Sequence, residues 1–251
     1  MNIASGKKVL KPGVLLYRKI RYRKGHGVHS PFVFNFITKV IDERAPYYCL
    51  NDIELTRRKI FYEEKKDTLP LRELIQQSVI SSRCGALLMR ITNYFKPHTV
   101  FQIGSVTGFA SLYLSSYSSN VETFVLEEIP ERVSANRLVF DKHKAKNIQL
   151  IEDNCRDNLA QMLKNKENPD LIYFDFLNDT DLNRYAFETC LPYCGETTVL
   201  IIAGIKANKE MEKFWEELLS HPQVGVTIDV FEFGIVFFNL KLHKKNYIVS
   251  F

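Results

Sequence analysis

From Pro97 onward the chain alternates short runs of β-forming residues with longer helical stretches, and few architectures accept that rhythm. The runs are TVFQI (99–103), VETFVL (121–126), IQLI (148–151), DLIYFDF (170–176) and TTVLIIA (197–203). The gaps hold FASLYLSSY, PERVSANRLVFDKHK opened by Pro130, CRDNLAQMLKN, and a stretch from about Leu182 to Cys190. Each gap is long enough for a helical crossover, so successive strands can run parallel with helices packed on the sheet. The clearest helix is KEMEKFWEELL, where Met211, Phe214, Trp215, Leu218 and Leu219 form one apolar face. At the end the rhythm breaks, because VGVTIDVF (224–231) and IVFFN (235–239) are separated only by Glu232, Phe233 and Gly234. That gap excludes a crossover and requires an antiparallel hairpin, placed here at the sheet edge. The expectation is an α/β fold with a mostly parallel seven-stranded sheet and a C-terminal antiparallel hairpin.

Before Pro97 the pattern is helical, which divides the chain into an N-terminal helical extension or cap, 1–95, and a sheet domain, 96–251. In SPFVFNFITKVI, Ser30 is placed to cap a helix opened by Pro31, with Phe32, Phe36 and Ile37 on one face. CGALLMRITNYF continues the signal through Leu87, Leu88 and Ile91 until Lys96-Pro97 stops it.

With 251 residues, 45% of them hydrophobic, the chain can bury an ordinary core. No apolar run is long enough to cross a bilayer and Met1 to Lys11 lacks the apolar stretch of a secretion signal, so a cytoplasmic protein with no membrane partner is expected. Five irregularly spaced cysteines fit a reducing compartment, and Cys190-x-x-x-Cys194 lacks the second ligand pair that zinc needs. The net charge of +5 is uneven, because a basic arm from Lys7 to Lys24 precedes the first acid, Asp42. Such an arm is most simply a solvated tail, while RNA or another anion is an open alternative.

In open parallel sheets, ligands sit beyond the carboxyl ends of the strands. Gly104 and Gly108, with Ser105 and Phe109, follow the first strand, where glycine permits close backbone approach and a helix start favours an anion. By itself that glycine pair also fits simple relief of helix–strand crowding. Glu127 ends the second strand, at the distance where a carboxylate could accept both hydroxyls of a ribose, and Glu128 beside it could substitute. Asp153 and Asn154 end the third strand and could hydrogen-bond an adenine ring, and Asp175 ends the fourth, facing the reacting end of a ligand. Each acid also has an ordinary explanation as a surface group in the first turn of a helix.

Together these residues and the terminal hairpin resemble the class I S-adenosylmethionine (SAM)-dependent methyltransferases, with a Rossmann-like sheet. HGVHSPFVF and KEMEKFWEELLSHPQVGVTIDVFEFGIVFFN narrow the resemblance to bacterial O-methyltransferase-like proteins with an HGxHSPF motif. The resemblance implies SAM as cofactor, a glycine loop (Gln102, Gly104, Ser105, Gly108, Phe109) holding its methionine portion, Glu127 or Glu128 its ribose, and Asp153-Asn154 its adenine. It further implies a small-molecule acceptor methylated at oxygen; methyl transfer can also use a base to remove a proton, and Asp175, at the end of the fourth strand beside the cofactor, is the catalytic candidate for it.

The departures are specific. Gln102 stands where an acid usually accepts from the cofactor's ammonium end, and a neutral acceptor binds a cation less strongly. Val106 replaces the middle glycine of G-x-G-x-G. Ala203-Gly204 stand where metal-dependent relatives hold a cation, and Asn178, Asp179 and Lys206 where the resembled family carries histidines and acids, so no metal is expected. His26 and His29 could reach over the pocket or merely shape a turn. DFLND stands in place of the Pro-Pro-aromatic signature of many base-amine methyltransferases, and the G-x-G-x-x-G spacing of nicotinamide dehydrogenases is missing. Two alternatives therefore stay open beside the enzyme: a catalytically silent binding module, and an RNA methyltransferase using residues 7–24. A homodimer is compatible with each of them.

Overall fold

The computed structural model describes residues 28–62, 69–78, 80–165, 169–175 and 179–251. The basic arm at 7–24, Gly25, His26, Gly27 and Asn178 lie outside them. Ser30 accepts a hydrogen bond from the Val33 N–H at 3.4 Å and caps α1 (Pro31–Phe36), which runs on as a π-helical turn, Ile37–Ile41. Three more helices follow: α2 (Tyr48–Phe61), α3 (Leu69–Ser78) and α4 (Ser82–Phe95). At the end of α4, Lys96 adopts a left-handed conformation, φ 51°, just before Pro97. A single non-glycine residue can tolerate that at a helix end.

The alternation then appears as β1 (Thr99–Ile103), α5 (Phe109–Ser115), β2 (Glu122–Glu127), α6 (Pro130–His143), β3 (Ile148–Glu152) and α7 (Cys155–Asn165). It continues with β4 (Leu171–Phe174), α8 (Thr180–Cys190), β5 (Val199–Ala203) and α9 (Lys209–Ser220), and ends in β6 (Val226–Asp229), β7 (Phe233–Phe237) and β8 (Lys245–Ile248). The sheet order is β3-β2-β1-β4-β5-β7-β6-β8. The strand order reverses between β1 and β4, and in open α/β sheets ligands bind beyond the carboxyl ends of the strands at such a switch point.

Alternate residues along each central strand feed opposite faces. Val100, Val125, Leu171 and Val199 join one core with α1 to α6, while Phe101, Phe124, Ile172 and Leu200 join another with α7 to α9. The helices before Pro97 therefore share an apolar core with the sheet. Phe36 and Phe95 both pack on Phe237 of β7, with ring centroids 5.6 and 5.7 Å away. Strands buried on both faces read as continuous apolar runs, which is why β1, β4 and β5 stood out in the sequence.

Two details of the sheet differ from expectation. The hairpin is present, β6 pairing antiparallel with β7, but β7 inserts beside β5 and the hairpin does not close the edge. An eighth strand, β8, pairs parallel with β6 and forms that edge instead. Its residues KNYI are largely exposed, so the strand carries no apolar signature of its own. Gly234 lets β7 lie against Trp215 of α9, since a Cβ there would meet the indole at 2.4 Å.

Candidate functional site

The loop after β1 is held by its own chain. Gly104 and Gly108 both take φ 76°, a conformation glycine adopts without a Cβ penalty, and a Cβ on Gly108 would approach the Phe140 ring at 2.9 Å. Val106 avoids positive φ, so the loop follows a path that a branched residue can take. Gln102 is fully buried: its amide nitrogen donates to the Gly104 carbonyl at 3.0 Å, and its amide oxygen accepts from the Ser111 hydroxyl at 2.7 Å. Ser105 donates through its hydroxyl to Asn136 at 2.6 Å and accepts from the Gly108 N–H at 3.2 Å. Asn136 returns a bond to the Ser105 carbonyl at 2.7 Å. Phe109 is fully buried in the core, with the Arg57 guanidinium of α2 5.2 Å from its ring centre.

Glu127 is the centre of this network and is 3% exposed. One carboxylate oxygen accepts from the Ser105 N–H at 2.7 Å, and the other from the Glu128 and Ile129 N–H groups at 3.1 and 2.9 Å. Arg132, in the first turn of α6, lies 3.9 Å from it. Burial pushes the Glu127 pKa up, against the N–H groups of Ser105 and Ile129, Arg132 and the Glu128 N–H, all of which pull it down.

The third strand end is also committed to the protein. Asn154 accepts from the Arg156 and Asp157 N–H groups at 2.9 and 3.2 Å and so caps α7. Asp153 accepts from the Asn154 N–H at 2.8 Å, and Glu128 accepts from the Cys155 N–H at 3.1 Å. Beside these residues an open hollow of about 590 Å³ is lined by Glu128, Ile129, Val133, Arg137, Asp153 and Asn154 among others. Arg137 and Glu152 form an ion pair across its rim.

Asp175 is different. It is half-buried, its N–H donates to the Ile103 carbonyl at 3.0 Å, and its carboxylate accepts from the Val106 N–H and, at 3.5 Å, the Tyr173 hydroxyl. Burial, with the nearby Glu127 charge, raises its pKa to about 7 despite the opposing pull of Arg132. Beyond it, Gly204 donates to the Glu232 carbonyl at 2.8 Å, joining the β5 and β6–β7 turns. Phe231 in that turn holds φ 80°, a strained conformation for an aromatic residue, with its N–H donating to Asp229 at 2.7 Å. Lys206 stands 4.0 Å from the other Asp229 oxygen. Asp179 caps α8 by accepting from the Leu182 N–H at 2.8 Å, and His29 is exposed. Among the described residues no three His, Cys, Asp or Glu side chains cluster as metal ligands.

The structure thus brings Gly104, Ser105, Glu127 and Asp175 into one bonded group, while Glu128, Asp153 and Asn154 gather a strand further out at the end of β3. Sequence reasoning missed Arg132, Asn136, Ser111 and Tyr173. The signal available for Asn136 was a polar residue on the face of α6 that also presents Val133 and Val139.

No protein-family model matches the chain, and no curated protein matches it. Solved structures do. A SAH-bound methyltransferase of Podospora anserina superposes with a TM-score of 0.59 at 16% identity, covering 82% of this chain and 95% of that one. An O-methyltransferase of Bacillus cereus in complex with SAH gives 0.54 at 16%, covering 82% and 97%. The Streptomyces achromogenes O-methyltransferase of tomaymycin synthesis, in complex with SAM, gives 0.55 at 14%, covering 77% and 91%. The chain therefore has the Rossmann-like fold of these methyltransferases, and at such identities the likeness is one of fold.

Among the described residues no helix is long and apolar enough to cross a membrane.

The polar groups at the strand ends can be tested against that cofactor. A carboxylate offers about four acceptor positions. Three on Glu127 are taken by N–H groups, which leaves one for a ribose hydroxyl. A two-point grip on a ribose requires one of those N–H groups to let go. Glu127 thus has room for one hydrogen bond from such a ligand, whereas both ends of the Gln102 amide and the amide oxygen of Asn154 are already bonded to the protein.

Proposed function

We propose that the protein is a SAM-dependent methyltransferase that methylates a small molecule at oxygen without a divalent cation. The observation that carries this reading is the joining of the β1, β2 and β4 ends through Glu127 and Asp175, in a fold whose neighbours are described with SAM or SAH bound. When bound, SAM would supply a methyl group activated by its sulfonium charge. Glu127 would hold the ribose through its remaining acceptor position, and the positive-φ glycines would let the backbone of 104–108 come close. Asp175 would accept the acceptor's hydroxyl proton, and its raised pKa suits a base that exchanges protons near neutrality. Ala203-Gly204 offer no ligand oxygens on their side chains for a hard cation, which supports metal independence.

Calorimetric titration with SAM and SAH tests the cofactor. Binding that Gly108→Ala weakens supports the reading, and no heat at millimolar ligand overturns it. Transfer of labelled methyl from SAM into a panel of phenols and catechols, unaffected by a chelator, tests the chemistry.

A second reading is favoured by the internal hydrogen bonds that occupy both ends of the Gln102 amide, three acceptor positions of Glu127 and the amide oxygen of Asn154. In that reading the fold persists as a silent binding module. Methyl transfer that Asp175→Asn abolishes would eliminate it.

A further inference from the structure

Helix α2 presents two unlike faces. Ile53, Thr56 and Ile60 are buried against the core. The opposite side is exposed at Tyr48, Asn51, Asp52, Leu55, Arg58, Lys59 and Tyr62, spacings of three and four residues that form one seam along a helix. Its apolar members are unusually open: Tyr48 is 90% exposed, Leu55 50% and Tyr62 81%. Single exposed apolar residues are ordinary, but Tyr48 and Leu55 on the helix and Tyr62 at its C-cap recur every seven residues and so form an apolar row along one side, interleaved with charged residues.

The charges on this seam are ordered as well. Asp52 lies on the N-terminal side of Leu55, and Arg58 and Lys59 lie on its C-terminal side. A two-fold axis through Leu55 would set an antiparallel copy of α2 against the first. Leu55 then meets its own equivalent, Tyr48 meets Tyr62, Asp52 meets Arg58 and Asn51 meets Lys59, each pair formed twice. A self-complementary patch of this kind is what a symmetric dimer contact requires. A parallel copy in register would instead set Asp52 against Asp52 and Arg58 against Arg58.

We propose that the exposed face of α2 binds a second copy of the chain as an antiparallel helix pair about Leu55. At 14 residues the helix is about 21 Å long, so the contact belongs at the small end of specific interfaces and forms a reversible dimer. The proposal is independent of the activity assigned to the site.

Sedimentation velocity of the full chain at low salt, from roughly 1 μM to 1 mM, should show a monomer–dimer equilibrium. Leu55→Glu places two carboxylates on the axis and should weaken dimerisation more than about tenfold. Asp52→Arg and Arg58→Asp should each weaken it by a similar factor, since each sets like charges opposite one another twice. The double variant should recover the dimer, and an equimolar mixture of the two single variants should dimerise where neither does alone. These positions are exposed, and unchanged circular dichroism confirms that the fold is intact. Monomers alone across the whole range would overturn the proposal, as would a dimer that none of these substitutions shifts.

Discussion

The strand ends of this sheet divide into two halves held in contrasting ways. Around β1, β2 and β3, polar groups are bonded to the protein itself: Gln102 to Gly104 and Ser111, Glu127 to three N–H groups, and Asn154 to the start of α7. Around β4, β5 and the β6–β7 turn the backbone N–H bonds are as short, but contacts between side chains are looser, with Asp175 3.5 Å from Tyr173 and Lys206 4.0 Å from Asp229, and Phe231 holds a strained conformation. The first half is built to keep its shape, and a ligand that takes more than the one remaining acceptor position of Glu127 must displace internal hydrogen bonds. The second half keeps a carboxyl group whose charge can change near neutral pH. Rigid placement and adjustable chemistry thus sit side by side across the β1–β4 switch point.

The sharpest way to break the contrast is to empty its centre. Glu127→Ala leaves the Ser105, Glu128 and Ile129 N–H groups without their acceptor, and the protein should lose about 3 kcal/mol of stability. Urea unfolding checks this, and a loss below about 1 kcal/mol would show that the network adds little. Gly108→Ala should cost about 2 kcal/mol, because it forces a Cβ into positive φ against Phe140 and Asn136, whereas Gly195→Ala, with nothing within 4 Å, should be near neutral.

The looser half is read through pH. Asp175 titrates at about 7 in the folded protein against 3.8 ordinarily, so the folded state retains a proton that the unfolded chain has lost. Its contribution to stability must therefore fall as pH rises between those values, the reverse of the usual salt-bridged carboxylate. Asp175→Asn should flatten that slope, measured as midpoints of urea unfolding between pH 4 and 7, while Glu127, also shifted upward, keeps the remainder. If Asp175 serves as the base, methyl transfer should rise with pH through about 7 in the parent protein. The smallest effect belongs to Lys206→Met: its partner is 4.0 Å away and its side chain is 26% exposed, so a stability change under about 0.5 kcal/mol is expected.

Much of this was legible in advance for a physical reason. Strands buried on both faces must be apolar throughout, and helices over a sheet must carry an apolar stripe, so TVFQI, LIYF, VLIIA and the Met211–Leu218 face announced themselves. The exposed edge strand KNYI did not, because nothing on its two faces demands a pattern. The positions of Gly104, Glu127, Asn154 and Asp175 at successive strand ends were equally plain. What each would be bonded to was not. Arg132 and Asn136 look like ordinary polar residues of α6, and only their approach to Glu127 and Ser105 gives them a part.

Local preference and hydrophobic period are properties of neighbouring residues, and they were sufficient to lay down the order of helices and strands, the α/β class and the row of candidate acids. Hydrogen-bond partners, and with them the charge state of Asp175, depend on groups far apart in the chain, such as Val106, Glu127, Arg132 and Tyr173 around a single carboxyl. No period encodes that meeting. It is decided by the packing of the whole sheet, because a pKa reports the water excluded and the charges gathered at one point in space.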